Sequence, residues 1–169
     1  LDAATSYSTE EDVRYVAASG GALTGLVRSV LSRGGADGAI CSVANQSDPL
    51  LTDAVFVRSP ADLLAASGSR YGPVSPLIRL ADLPSDVKSV VLIGRPCDIS
   101  AARELESLGL IDGTSIAIFV SFFCAGTPSM KGTLEILRRM DVKREQLSVF
   151  RYRGYGWPGN ATAVTDATF

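Results

Sequence analysis

The sequence predicts an α/β fold, in which a mixed sheet carries a parallel β-α-β-α unit in the second half of the chain and helices pack on the sheet. Two apolar, β-branched runs, SVVLIG (89–94) and SIAIFVSFF (115–123), have the length and composition of buried strands. Each run is followed by apolar residues at helical spacing, at 98–110 and 129–141. Two strands with a helix between them lie parallel, with a right-handed crossover.

The first half of the chain is predicted to add further elements to this sheet. Apolar residues recur at helical spacing over 23–31, and an RGG turn ends this first helix. Two strands follow, GAICSVAN (38–45) and LTDAVFVRS (51–59), joined by the turn-rich QSDP. Short helices are predicted at 59–67, where Ser and Pro open the segment, and at 76–84.

The last part of the chain is predicted to be less regular. Ser129 is placed to cap the final helix, and 146–165 reads as irregular strands separated by glycine turns. We therefore divide the chain into an N-terminal α/β segment (1–85) and a β-α-β-α unit with an irregular tail (86–169). Together these segments are expected to form one compact domain, because 169 residues suffice for a single buried core.

Composition excludes several classes of protein. The net charge of -2 gives no electrostatic reason to expect a nucleic-acid partner, and no apolar run is long enough to span a membrane. The first residues lack a signal peptide pattern, so a cytoplasmic location is expected. Histidine is absent, which excludes Ser/His and Cys/His catalysis. The start at Leu1 and the lack of a closing element indicate an excerpt of a longer protein.

Two of the three cysteines occupy equivalent positions. Cys97 and Cys124 each follow a predicted strand, where ligands bind in parallel α/β sheets. Neighbouring strands lie about 5 Å apart, so both thiols are expected at one patch. The pair is compatible with a metal centre, a redox dithiol, or two small apolar residues of the core. Two thiols complete neither a zinc site nor a 4Fe-4S site, and Cys41 is predicted to be a core residue.

A second candidate site is the glycine-rich start of the first helix. In AASGGALTG, Ser19 is predicted to cap the helix, and Gly20 and Gly21 allow close approach to the first-turn amides, which suits a phosphate group. The alternative is a capped helix that simply packs tightly on the sheet.

Five segments in one order carry a resemblance to a known family: ASGGALTGLVRSVL, GSRYGP, LIGRPCDISAAREL, SFFCAGTPS and FRYRGYGWPG. In order and approximate spacing, the chain resembles the beta subunits of coenzyme F420-reducing hydrogenases and dehydrogenases over nearly its whole length. The resemblance implies FAD and a 4Fe-4S cluster, with electrons moving between the cluster, the flavin and a substrate. Related members are ferredoxin-linked reductases.

The resemblance also implies site residues. The cluster thiolates of the family match Cys97 and Cys124, whereas the CxxC that supplies the other two thiolates is not contained in this sequence. Arg70 stands where the family usually has lysine, and its guanidinium still suits a phosphate. The implied cofactor-binding residues are Ser19, Gly20, Gly21, Thr24, Gly68, Ser69, Arg70 and Tyr71. Arg95, beside Cys97, is a further candidate, either to hold an anion of the cofactor or to raise the potential of the cluster.

We therefore predict a flavin-dependent redox subunit that transfers electrons between a 4Fe-4S cluster, FAD and coenzyme F420 or a similar acceptor. No catalytic side chain is assigned, since the cofactors carry the chemistry. A redox partner subunit or ferredoxin and a small-molecule coenzyme are the expected partners. Two alternatives stay open: a non-catalytic binding or scaffold domain of the same fold, and a ferredoxin-dependent reductase of another substrate.

Overall fold

The computed structural model describes residues 4–165. A four-stranded sheet lies at the centre of their fold. The strands are β1 (Gly38–Ala44), β2 (Thr52–Val57), β3 (Ser89–Gly94) and β4 (Ser115–Ser121), in the spatial order β2-β1-β3-β4. β1 pairs antiparallel with β2 and parallel with β3, and β3 pairs parallel with β4. The predicted mixed sheet is confirmed. Because β1 pairs with β3, both halves of the chain contribute to it.

Helices cover both faces of the sheet. A short α1 (Glu11–Val16) precedes α2 (Ala22–Ser32), which packs on one face together with α3 (Asp62–Ala65). The other face carries α4 (Pro96–Ser107) and a 3-10 helix, Pro76–Asp82. The two apolar layers meet at the sheet because its strands alternate their side chains between the faces. For example, Val91 belongs to the first layer, whereas its neighbours Val90 and Leu92 belong to the second.

The last helix does not pack on this sheet. Helix α5 (Met130–Arg139) lies instead against a hairpin formed by β5 (Leu147–Arg151) and β6 (Thr162–Thr165). A separate apolar cluster holds them together: Leu50, Leu137, Leu147, Phe150 and Tyr152. The apolar face of α5 is buried against the aromatic rings of this cluster.

Polar side chains set the starts of the last two helices. Ser129 accepts a hydrogen bond from Gly132 N at 3.3 Å, so the prediction that it caps α5 is confirmed. At the start of α4, the carboxylate of Asp98 accepts a hydrogen bond from Arg95 N at 2.9 Å. These bonds satisfy backbone groups that the first turn of a helix leaves without partners.

Candidate functional site

The carboxyl ends of β3 and β4 bring the two cysteines to one edge of the sheet. Gly94 and Ser121 are register partners, and the Ser121 hydroxyl donates to Gly94 O at 3.0 Å. Cys97 and Cys124 each lie three residues beyond this pair, and both are exposed. Cys41, in contrast, is buried within β1, and burial raises its pKa to about 12. The exposed thiols are therefore separate from the core.

Arg95 lies beside both thiols and is held by Asp98. Its Nε and Nη2 donate to the Asp98 carboxylate at 2.9 and 3.0 Å, and Nη2 also donates to Val74 O at 2.8 Å. The hydrogen bond with Asp98 raises the pKa of Arg95, and the charges of Cys97 and Cys124 in their ionised form add to this effect. A fixed positive charge therefore lies at the strand edge that carries the thiol pair.

The thiol pair is not a complete metal site. Within residues 4–165, no group of three or more His, Cys, Asp or Glu side chains is arranged to hold a metal ion. A 4Fe-4S cluster needs four thiolates, and Cys97 and Cys124 supply two. The side chains of this part of the chain therefore do not fit a whole cluster.

The glycine-rich segment before α2 is an unusual turn. Ser19, Gly20 and Gly21 all have left-handed backbone angles, with φ values of 55°, 75° and 72°. The N-cap of α2 is Gly21, and no side chain caps the helix. The prediction that Ser19 caps this helix is therefore wrong, because a 3-10 turn places Ser19 ahead of the first helical turn.

Both glycines of this turn are packed against the chain itself. A Cβ at Gly21 would lie 2.9 Å from Val13 Cγ1, and one at Gly20 would lie 3.1 Å from Tyr7 Cβ. In addition, Ser8 N donates to Gly20 O at 2.8 Å. Tight packing by itself explains why glycine is needed here. A phosphate or flavin contact at this turn stays a prediction.

A buried hydrogen bond joins the two segments that the resemblance assigns to the cofactor. The Ser67 hydroxyl donates to Thr24 Oγ1 at 3.2 Å, and both residues are buried. Gly68, Ser69 and Arg70 follow directly in the chain. The two segments, far apart in sequence, therefore meet beside the carboxyl end of β1.

Arg70 and Tyr71 are largely engaged with the protein. The Arg70 guanidinium donates to the carbonyl oxygens of Phe150, Pro49 and Leu51 at 2.7–2.8 Å, and Nε reaches Thr52 Oγ1 at 3.4 Å. These contacts leave one of its five N–H groups for a ligand. The ring of Tyr71 contacts the ring of Tyr152, with centroids 5.1 Å apart and planes tilted by 58°. Their predicted role in binding the cofactor remains a prediction.

A cavity of about 170 Å³ lies at this edge. Its wall combines the end of β1 (42–44), the segment 65–70 and residues 149–151 of β5. Gly68, Ser69 and Arg70 are predicted site residues, whereas Arg151, which also lines the cavity, is not among the residues predicted from the sequence. The FRYR motif contained Arg151, yet no local pattern showed which arginine of the motif would face the cavity.

The chain is thus an α/β module whose candidate ligand-binding residues lie at the carboxyl ends of its parallel strands. Two family models match the chain, and both describe the beta subunit of coenzyme F420 hydrogenase/dehydrogenase. The model of its N-terminal part matches residues 3–81, and the model of its C-terminal part matches residues 87–168. The chain belongs to the coenzyme F420 hydrogenase/dehydrogenase beta subunit family. This confirms the resemblance carried by the five sequence segments.

Among solved structures, the chain is similar to one from the F420-reducing NiFe hydrogenase complex of Methanosarcina barkeri, with a TM-score of 0.75 and 23% identity. The similarity covers 94% of this chain and 58% of that chain, so this chain spans somewhat over half the length of its structural relative. No curated protein matches the sequence. No helix within residues 4–165 is long and apolar enough to cross a membrane.

Proposed function

We propose that this chain is the flavin-binding part of a redox subunit that passes electrons between FAD and coenzyme F420 or a similar acceptor. One observation carries the proposal: the two segments assigned to the flavin meet through Ser67 and Thr24 at the same sheet edge that presents the exposed thiols. Family membership supports a redox role for this edge. A partner subunit or ferredoxin completes the electron path.

FAD fits the residues of this edge in part. Gly68, Ser69 and Arg151 line a cavity of about 170 Å³, and the neighbouring Ser67 is hydrogen-bonded to the buried Thr24. When bound, FAD supplies the exchange of a hydride or of single electrons. The side chains bind and orient the cofactor, and none is required as an acid or base.

The cysteine pair is proposed to supply two ligands of the family's 4Fe-4S cluster. Both thiols are exposed at the carboxyl ends of neighbouring parallel strands, where a shared ligand can reach them. The remaining ligands must come from outside residues 4–165.

FAD binding is the direct test of the proposal. The purified protein is titrated with FAD, and binding is followed by the change in flavin fluorescence and by co-elution during gel filtration. We expect stoichiometric uptake of FAD and a yellow protein. A protein that takes up no FAD would instead support the alternative of a non-catalytic scaffold domain.

The cysteine assignment is tested in the full-length subunit that contains this chain. Cys97→Ser and Cys124→Ser are each expected to lose bound iron, whereas Cys41→Ala keeps it, because Cys41 is buried away from the edge. Equal iron content in all three variants would refute the assignment.

A further inference from the structure

The cavity beside β5 has an uncompensated positive charge. Among the residues that the structure describes, Arg70 and Arg151 are the only charged ones in its wall. Within residues 4–165, neither arginine forms a salt bridge with a carboxylate. Arg95 differs in this respect, since it is paired with Asp98.

The guanidinium of Arg151 is fixed in place by the backbone. Its Nη2 donates to Ser67 O at 2.9 Å and to Val16 O, and its Cζ lies 4.7 Å from the centre of the Tyr155 ring. Two bonds to carbonyl oxygens and an aromatic face hold the plane of the guanidinium in one orientation.

Two glycines make room for this guanidinium. A Cβ at Gly68 would lie 2.4 Å from Nη2, and one at Gly154 would lie 2.8 Å from Nε. Nε and Nη1 of Arg151 have no acceptor among the described residues, although no fully buried side-chain nitrogen or oxygen there lacks a partner. These N–H groups therefore remain accessible and available to a ligand.

The positive charge of Arg151 also acts on Arg70. Burial lowers the pKa of Arg70, and the nearby charge of Arg151 lowers it further. Positive charges that are partly removed from water are costly unless an anion or a hydrogen-bond acceptor compensates them. Backbone carbonyls compensate Arg70 almost fully, whereas Arg151 keeps free donors.

We propose that this cavity binds a phosphate or diphosphate group, with Arg151 as the principal donor. Planar guanidinium groups bind phosphate oxygens through paired hydrogen bonds. A volume of about 170 Å³ is enough for such a group but smaller than the roughly 300–1,000 Å³ of pockets that enclose whole ligands. The group belongs either to the FAD of the proposed function or to a separate phosphorylated molecule.

Inorganic pyrophosphate is the probe, and a pair of variants at Ala65 provides the control. Ala65 is exposed and lines the cavity, so Ala65→Glu adds a carboxylate without removing a bond of Arg151. Ala65→Gln has nearly the same shape and no charge. Titration calorimetry is expected to show pyrophosphate binding to the wild type and Ala65→Gln, at least tenfold weaker binding to Ala65→Glu, and a decrease with salt.

Arg151→Lys is the second variant, because it keeps the charge but loses the planar donor pair. Its affinity for pyrophosphate is expected to fall at least fivefold, with the fold checked by circular dichroism. Absence of binding to the wild type, or equal binding to Ala65→Glu and Ala65→Gln, overturns the proposal.

Competition experiments separate the two sources of the phosphate group. If FAD displaces pyrophosphate and riboflavin does not, the cavity holds the diphosphate of FAD. If FAD binds without displacing pyrophosphate, the cavity serves a different phosphorylated ligand. If FAD binds and pyrophosphate does not bind at all, this inference fails while the proposed function stands.

Discussion

Replacing Asp98 by alanine tests how the edge that carries the thiols is held together. The Asp98 carboxylate is largely buried and accepts three hydrogen bonds, from the backbone N, Nε and Nη2 of Arg95. In Asp98→Ala the first turn of α4 loses its acceptor, and the Arg95 guanidinium loses its two hydrogen bonds to the carboxylate and keeps the one to Val74 O.

The magnitude follows from these bonds. Hydrogen bonds to charged groups contribute about 1.5–3 kcal/mol each, and a helix cap contributes about 0.5–2 kcal/mol. The three bonds share one carboxylate, and the Arg95 side chain keeps 26% exposure, so water replaces part of the loss and the contributions do not add. We expect the free energy of unfolding to fall by about 2–4 kcal/mol in Asp98→Ala, and by about half as much in Asp98→Asn, which retains an acceptor oxygen.

Urea denaturation followed by circular dichroism measures this loss. With an m-value of about 2 kcal/mol/M, the midpoint of Asp98→Ala is expected to fall by about 1–2 M. Glu106→Ala is the matched control, because Glu106 lies in the same helix, is exposed and forms no salt bridge among the described residues. If both variants lose equally little stability, the Asp98 carboxylate does not hold this edge and the reasoning is refuted.

Two further predictions concern the thiols and the arginine of the cavity. An alkylating reagent at neutral pH is expected to modify Cys97 and Cys124 in the folded protein, and Cys41 only after denaturation, because burial raises the pKa of Cys41 to about 12. Mass spectrometry counts the modified thiols. Gly68→Ala is expected to lower the free energy of unfolding by about 2–4 kcal/mol, since its Cβ would lie 2.4 Å from Arg151 Nη2 and φ is +105°.

Each of these predictions has a contradicting outcome. Equally fast modification of all three thiols in the folded protein would show that the Cys41 thiol is accessible. For the glycine, Gly109→Ala is the control, because φ is +66° there and no atom lies within 4 Å of the added Cβ. A cost of about 1 kcal/mol is expected for this control. An equal cost at Gly68 would mean that Arg151 moves aside freely.

Patterns within short segments were sufficient to predict the parallel strands. The runs that became β3 and β4 are continuous and apolar, and the helix between them has its own periodicity. The expected burial is confirmed for β3 but is wrong for β4, which lies at the edge of the sheet and has four exposed residues of seven. The position of Cys97 and Cys124 at strand ends followed from the same patterns. The five spaced motifs were also sufficient to indicate the family.

Other features depend on contacts between distant segments. Helix α1 has six residues, too few for a clear periodic pattern, and its buried Val13 packs against Gly21, where a Cβ would lie 2.9 Å from Val13 Cγ1. The pattern of α5 shows an apolar face but not its partner. That face packs on Phe150 and its neighbours rather than on the large sheet, because the β5-β6 hairpin offers it an aromatic surface.

Local patterns of residues were enough to predict the class of sheet, the position of the cysteines at strand ends and the family. The use of the arginines, in contrast, depends on contacts that form on folding. Arg70, assigned to the cofactor by its motif, directs most of its donors to backbone carbonyls, whereas Arg151 lines the cavity and leaves Nε and Nη1 without an acceptor among the described residues. The reason is physical: the acceptors that fix Arg151, Val16 O and Ser67 O, are 135 and 84 residues away in sequence, and only folding brings them to its guanidinium.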